Sequence, residues 1–170
     1  MKLYLVRHAE ALHFNSDPQR GLSQHGVAQV HAVAGFLRDG GQFLPDEIWH
    51  SGLPRSTATA QILHDEAAPD SVLVERPDMM PETSSDACYD TLCRYEKSVA
   101  IVGHQPHLQR LFSRIVGSND PEMWEIVNGG VACISGQDYY VGMGNIRRRW
   151  SLFWMLTPRL LETKDASRID

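Results

Sequence analysis

Lysine is scarce in this 170-residue chain: Lys2, Lys97 and Lys164 are the whole supply. Cysteine is as rare, with Cys88, Cys93 and Cys133 an odd set without CxxC spacing. That excludes a disulfide framework, argues against a thiolate metal site, and fits free thiols in a reducing cytoplasm. No apolar run approaches the roughly 20 residues of a membrane span. The opening Met1–Val6 reaches Arg7 too soon to be the apolar segment of a signal peptide. Positive charge is not in excess either. A net charge of -5 and a pI near 5.9 argue against nucleic acid as a partner, because phosphate-backbone binding wants a basic face.

What is present is ordinary for a globular domain: 42% hydrophobic and 22% charged residues, enough chain to bury a core without a staple. The exception is arginine. Three lysines among 16 basic residues leave 13 arginines. Arginine presents a planar fork of donors suited to bidentate anion recognition, which lysine does less well.

Short apolar runs alternate with amphipathic segments, the pattern of a mostly parallel α/β sheet covered by helices on both faces. Strands are expected at Lys2–Val6, Glu47–His50, Val72–Val74 and Val99–Val102, the last closed by Gly103. A helix from Ser23 places Val27, Val30, Ala34 and Leu37 at helical spacing and ends at Gly40-Gly41. Pro54 suits the first position of a helix carrying Ala58, Ile62 and Leu63, since its missing N–H costs nothing there. Ser84 is expected to cap a helix running to about Glu96 that holds Cys88 and Cys93. Pro106 opens a helix with Leu108, Leu111, Phe112, Ile115 and Val116 on its apolar face. Val131–Ser135 and Arg149–Leu156 read as late strands forming an antiparallel edge, with Arg147-Arg148-Arg149 a solvated turn before the second. Residues 1–160 are expected to form one domain, with 161–170 a polar tail.

Placed on this scaffold, the polar residues converge. Arg7-His8 follows the first strand, Arg55 follows the second, and His104 follows the fourth. Ligands of open parallel sheets bind at the carboxyl ends of the strands. Arg-His after one strand is an ordinary surface pair, and one histidine beside a glycine is an ordinary hydrogen bonder. Their shared topological position carries the inference. Two guanidinium forks suit a tetrahedral oxyanion such as phosphate. A neutral imidazole can attack phosphorus and split one difficult displacement into two. No carboxylate or thiol joins the histidines at metal-ligand spacing, so no metal and no cofactor are expected. Gly142-Met143-Gly144-Asn145 links no strand to a helix and is not a dinucleotide fingerprint.

Leu5-Val6-Arg7-His8-Ala9-Glu10 resembles the RHG-type motif of the histidine phosphatase superfamily, with Ala9 where glycine is commoner. Leu22-Ser23-Gln24-His25-Gly26 is similar to its L-T/S-x-x-G helix start, and Ser51 to Ala60 to its S-P-x-x-R-A-x-x-T-A segment, with Gly52 in place of proline. Val102-Gly103-His104-Gln105-Pro106 and Phe153 to Pro158 resemble the small SixA-type phosphohistidine phosphatases. The resemblance implies a phosphoglycerate mutase-like three-layer sandwich. In that case His8 is the nucleophile, while Arg7, Arg55 and His104 hold the phosphoryl oxygens. Asp17 and Arg20 match an Asp-x-x-Arg that lines the mouth, and Ser51 joins the substrate-binding set. The Gly52 departure is expected to loosen its turn.

The acid for the leaving group is open among Asp78, Glu82 and Asp86. A missing acid would favour phosphoramidates, because imidazole can leave already carrying its proton. The expected activity is metal-independent dephosphorylation of a phosphohistidine-bearing protein, for example a histidine phosphotransfer domain. Alternatives are a small-molecule phosphomonoesterase, a non-catalytic phosphate or phosphoprotein binder, and a metal-dependent hydrolase using the eight histidines.

Overall fold

A computed structural model describes residues 1–13, 18–121, 123–142 and 145–162. Elements follow in the order β1 (Lys2–Arg7), α1 (Gln24–Gly40), β2 (Glu47–His50), α2 (Pro54–Ala67), β3 (Val72–Glu75), α3 (Asp86–Leu92), β4 (Val99–Gly103), α4 (His107–Val116), β5 (Val131–Tyr140) and β6 (Ile146–Leu156). One six-stranded sheet runs β3-β2-β4-β1-β5-β6. The first four strands of that order are mutually parallel, and β5 and β6 close one side as an antiparallel pair.

Three layers follow from the period-two alternation of side chains across a strand. On β1, Tyr4 and Val6 face one apolar cluster with Val30, Val33 and Leu37 of α1 and Leu63 of α2. Leu3 and Leu5 face the other, with Leu92 of α3 and Leu108, Leu111 and Phe112 of α4. Both faces of the central strands are therefore dry, and that is why β1 and β4 read as continuous apolar runs. Val27 and Val116, placed on apolar faces by their spacing, are more than a third exposed at helix ends.

Three further expectations change. The helix near Ser84 starts at Asp86 and stops at Leu92, well short of Glu96; Ser84 Oγ instead accepts from the Asp86 N–H at 3.2 Å. The β5–β6 pair runs beyond the apolar stretches as a ribbon in which Gly136 to Tyr140 face Trp150 to Ile146. Arg147 to Arg149 lie inside β6 and are no solvated turn. The Arg148 guanidinium is nearly buried, paired with Asp138 and donating to the carbonyls of Leu92 and Tyr95. A bulge beside Cys133 and Ile134 leaves Phe153 outside the ladder. It turns Trp154 to the α1–α2 side and Trp150 to the α3–α4 side, where simple alternation puts them on one face.

Candidate active site

Strand register builds the centre of the site. Arg7 lies opposite Gly103 in the parallel β1–β4 ladder. The next residue on each strand is a histidine, and the His8 N–H donates to the Gly103 carbonyl at 3.1 Å. The two rings therefore come together, with centroids 5.0 Å apart. On the other side of β4, His50 lies opposite Val102. Ser51 consequently arrives beside His104, its Oγ 2.6 Å from Nε2.

The turn into α2 brings Arg55. Its Nε donates to His8 Nε2 at 3.3 Å and its Nη1 to the Pro18 carbonyl at 2.9 Å. Ser56 donates to the Val102 carbonyl at 2.7 Å, and Thr59 accepts from the Ala9 N–H at 3.2 Å. The run of small polar residues after Arg55 thus pins α2 to β4 and to the loop after His8. Gly52 sits at φ 85°, a left-handed conformation that proline cannot adopt, and its N–H meets His50 Nδ1 at 3.3 Å. The departure from S-P therefore marks a differently built turn with bonds of its own, not a loosened one.

The segment Leu22 to Gly26 has a positioning role. Ser23 caps α1, accepting from the Gly26 N–H at 2.9 Å, and donates to Glu10 Oε1 at 2.7 Å. A Cβ on Gly26 would meet the Glu10 carbonyl oxygen at 2.0 Å, so only glycine lets α1 start against the loop after His8. Gly26→Val is expected to cost about 1–3 kcal/mol by overpacking a site that cannot give. Thermal denaturation checks this, and an unchanged Tm would remove the packing explanation.

His8 donates from Nδ1 to the Ala9 carbonyl at 2.7 Å, which puts the ring's lone pair on Nε2, where it accepts from Arg55. Burial, with Arg55, Arg7 and Arg20 nearby, lowers the His8 pKa to about 4 despite the Ala9 bond. Burial, with His8 and Arg55 nearby, lowers His104 to about 3. Both imidazoles are neutral at pH 7. Arg7 is gripped from behind, its Nη1 donating to Glu125 at 2.8 Å and to the Ile126 carbonyl at 3.1 Å. Arg7 Nε and His104 Nδ1 are buried without a hydrogen-bond partner among the described residues.

These residues line a cavity of about 660 Å³, together with Arg20, Pro81 and Gln105. Of the expected residues, Arg7, His8, Arg20, Arg55 and His104 are brought together. Ser51 is wholly buried behind His104, not on the cavity wall. Asp17 lies outside the described residues. Asp78 is held by two bonds from Arg76, which lowers its pKa. Glu82 and Asp86 line a separate depression with Arg110 and Arg114, the latter paired with Asp86. From that region Pro81 reaches the cavity. The carboxylate on the described wall is Glu10, whose hydrogen bonds from Ser23 and His25 lower its pKa. Sequence reasoning missed Glu125, Ile126 and Asn128, which enter from an irregular segment with no periodicity to mark it.

Residues 3–79 match the family model described as histidine phosphatase superfamily (branch 1). No curated protein matches the sequence. Among solved structures, one named for a phosphohistidine phosphatase SixA of Agrobacterium tumefaciens is 25% identical, covers 92% of this chain and 97% of its own, and has a TM-score of 0.74. A protein histidine phosphatase SixA complexed with tungstate is 18% identical, covers 95% and 100%, and has a TM-score of 0.76. A phosphoserine phosphatase mutant of Entamoeba histolytica in complex with phosphoserine is 16% identical, covers 93% and 98%, and has a TM-score of 0.63.

Proposed function

We propose that this member of the histidine phosphatase superfamily is a metal-independent phosphohistidine phosphatase acting through a phosphorylated His8. The observation that carries the reading is the pairing of a buried, neutral His8, its Nε2 lone pair aimed at the Arg55 Nε–H, with the guanidinium groups of Arg7, Arg20 and Arg55 on one cavity. In the first step Nε2 attacks phosphorus, the P–N bond to the substrate imidazole breaks, and the imidazole leaves with its own proton. In the second step water attacks phospho-His8, releasing inorganic phosphate and restoring the ring. Phosphoryl transfer needs mostly positioning and charge stabilisation, and the arginines supply both. Ser51, as donor to His104 Nε2, suits the tautomer whose Nδ1–H gives the phosphoryl group a further donor.

The substrate class rests on proton supply. An alkoxide leaving group needs a strong acid near the bond that breaks. The lining carboxylate, Glu10, is held ionised by its own hydrogen bonds. A phosphohistidine substrate needs no such donor. A cavity of about 660 Å³ open at the strand ends admits either a protein-borne side chain or a small phosphorylated molecule. The three free thiols fit a cytoplasmic setting.

The decisive experiment incubates the protein with a labelled phosphohistidine substrate, quenches rapidly and maps the label by mass spectrometry. Label on His8 is expected, and label on another residue would overturn the nucleophile. Preference for sugar or glycerate phosphates over a phosphohistidine peptide would overturn the substrate class. Turnover of p-nitrophenyl phosphate is expected to persist in EDTA, whereas loss on chelation would indicate a metal-dependent hydrolase. Binding of phosphate without turnover would indicate a binding module.

The depressed pKa of His8 fixes the acid limb. With p-nitrophenyl phosphate, kcat/KM should hold as pH falls through 6.5, the ordinary histidine value, and fall only near pH 4, where His8 gains its proton. The linked stability effect has the opposite window. Unfolded histidines take up protons below about pH 6.5 while His8 and His104 resist. Stability should therefore decline as pH drops from there towards 4, seen as a falling midpoint in urea titrations.

A further inference from the structure

The Arg7 guanidinium is held by a strap of irregular backbone that precedes β5. Its Nη1 donates to Glu125 Oε1 at 2.8 Å and to the Ile126 carbonyl at 3.1 Å. Both N–H groups of that nitrogen are thereby committed. Of the five that a guanidinium carries, those on Nε and Nη2 remain for a phosphoryl group.

An exposed ion pair usually contributes little, because two free side chains must be ordered to make it. The Glu125 side chain is 65% exposed, but its backbone is anchored on both sides. Trp124 packs edge-on against Phe112 of α4, with ring centroids 5.5 Å apart. Ile126 is buried in the cluster that holds Leu108 and Leu111. The Ile126 carbonyl also accepts from Gln105 Nε2 at 3.4 Å, and Gln105 follows His104. Further along, the Gly129 N–H meets the carbonyls of Arg7 and His8 at 3.1 and 3.3 Å. The strap is therefore fixed against both strand ends that carry the site. The carboxylate it delivers falls on one nitrogen of one arginine.

We propose that Glu125 is a positioning residue, fixing the plane of the Arg7 guanidinium so that its remaining donors meet the transferring phosphoryl group. The assignment rests on the role of Arg7 in the proposed mechanism. Glu125 is not among the residues lining the cavity, so its effect on turnover passes through Arg7. Without the carboxylate, Nη1 keeps only the Ile126 carbonyl, and the guanidinium can swing about its last side-chain bonds. A preorganised donor that moves loses part of its hold on developing charge.

Steady-state turnover of p-nitrophenyl phosphate tests this in Glu125→Ala, Glu125→Gln, Arg7→Ala and the double variant Arg7→Ala with Glu125→Ala. The Ki of inorganic phosphate and the Tm are measured alongside. Glu125→Ala should lower kcat by about 10-fold, less than the ~100-fold that a displacement of about 1 Å can cost. KM and the phosphate Ki should change less, since the charge of Arg7 remains, and Tm should barely move for so exposed a pair. Glu125→Gln keeps an oxygen that accepts from Nη1 and should recover most of kcat. In the Arg7→Ala background, removing Glu125 should have no further effect, because nothing is left to position. Full kcat in Glu125→Ala overturns the proposal, as does a loss that persists undiminished in the Arg7→Ala background. A loss carried by Ki or by Tm overturns it too, as does Glu125→Gln as impaired as Glu125→Ala. Undiminished turnover in Arg7→Ala overturns the role of Arg7 in the mechanism and that of Glu125 with it. An impaired Arg7→Ala beside an intact Glu125→Ala overturns the assignment of Glu125 alone.

Discussion

Replacing His8 with alanine is expected to lower kcat by about four orders of magnitude or more, because loss of the proposed covalent nucleophile would abolish the chemical path and not one of its supports. The variant should fold. His8 makes its side-chain bonds to a backbone carbonyl next door and to Arg55, and the core clusters on both sheet faces do not depend on it. Phosphate should still bind, since Arg7, Arg20, Arg55 and His104 remain on the cavity. The signature is an intact Tm and retained protection by phosphate, with no acid-labile label trapped on quenching. Full activity would sink the mechanism outright. Binding lost together with turnover would mean that His8 holds the anion and does not attack it.

Arg55→Ala is expected to lower kcat/KM by about two to three orders of magnitude, the usual cost of removing one preorganised donor from developing negative charge. A second effect separates catalysis from simple anion binding. Arg55 is among the cations that hold the His8 pKa down, after the larger effect of burial. Its removal should move the acid limb of the rate profile upward from about pH 4. Arg55→Lys should recover the charge without the paired donors, restoring the limb better than the rate. A rate loss with an unmoved limb would show that Arg55 binds substrate without tuning its neighbour. The arginine also bonds the Pro18 carbonyl, so part of any loss is the loop before α1 moving away from the cavity.

The residues most legible in the sequence were those whose place depends on strand ends. Val6-Arg7-His8 and Gly103-His104 each follow an unmistakable apolar run, and parallel pairing does the rest. Arg55 was legible because Pro54 announces a helix start just beyond β2. The acid was not. Asp78, Glu82 and Asp86 share a short stretch whose path depends on tertiary contacts, and Arg76 and Arg114 bind two of them away from the cavity. Arg148 misled for a similar reason. Three consecutive arginines look solvated until Asp138 and two carbonyls from the α3 end desolvate the middle one. The bulge at Phe153 was invisible to alternation, which assumes a ladder without interruption. Glu125 and Asn128 lie in irregular backbone, where no periodic signal exists to read.

The pairing of Arg7 with Gly103 bears on when the protein becomes competent. Its two histidines are 96 residues apart in the chain, and nothing local brings them together. β1 and β4 are the innermost strands of the sheet, so separating them requires opening both cores. Competence should therefore arrive late in refolding and vanish only with global unfolding, after the outer ribbon of β5 and β6 has frayed. Enzymatic activity becomes a gauge of the whole domain's integrity: slow amide exchange at Leu5 and Ile101 should disappear in the same denaturant range as turnover, while the amides of residues 136–140 are already free to exchange.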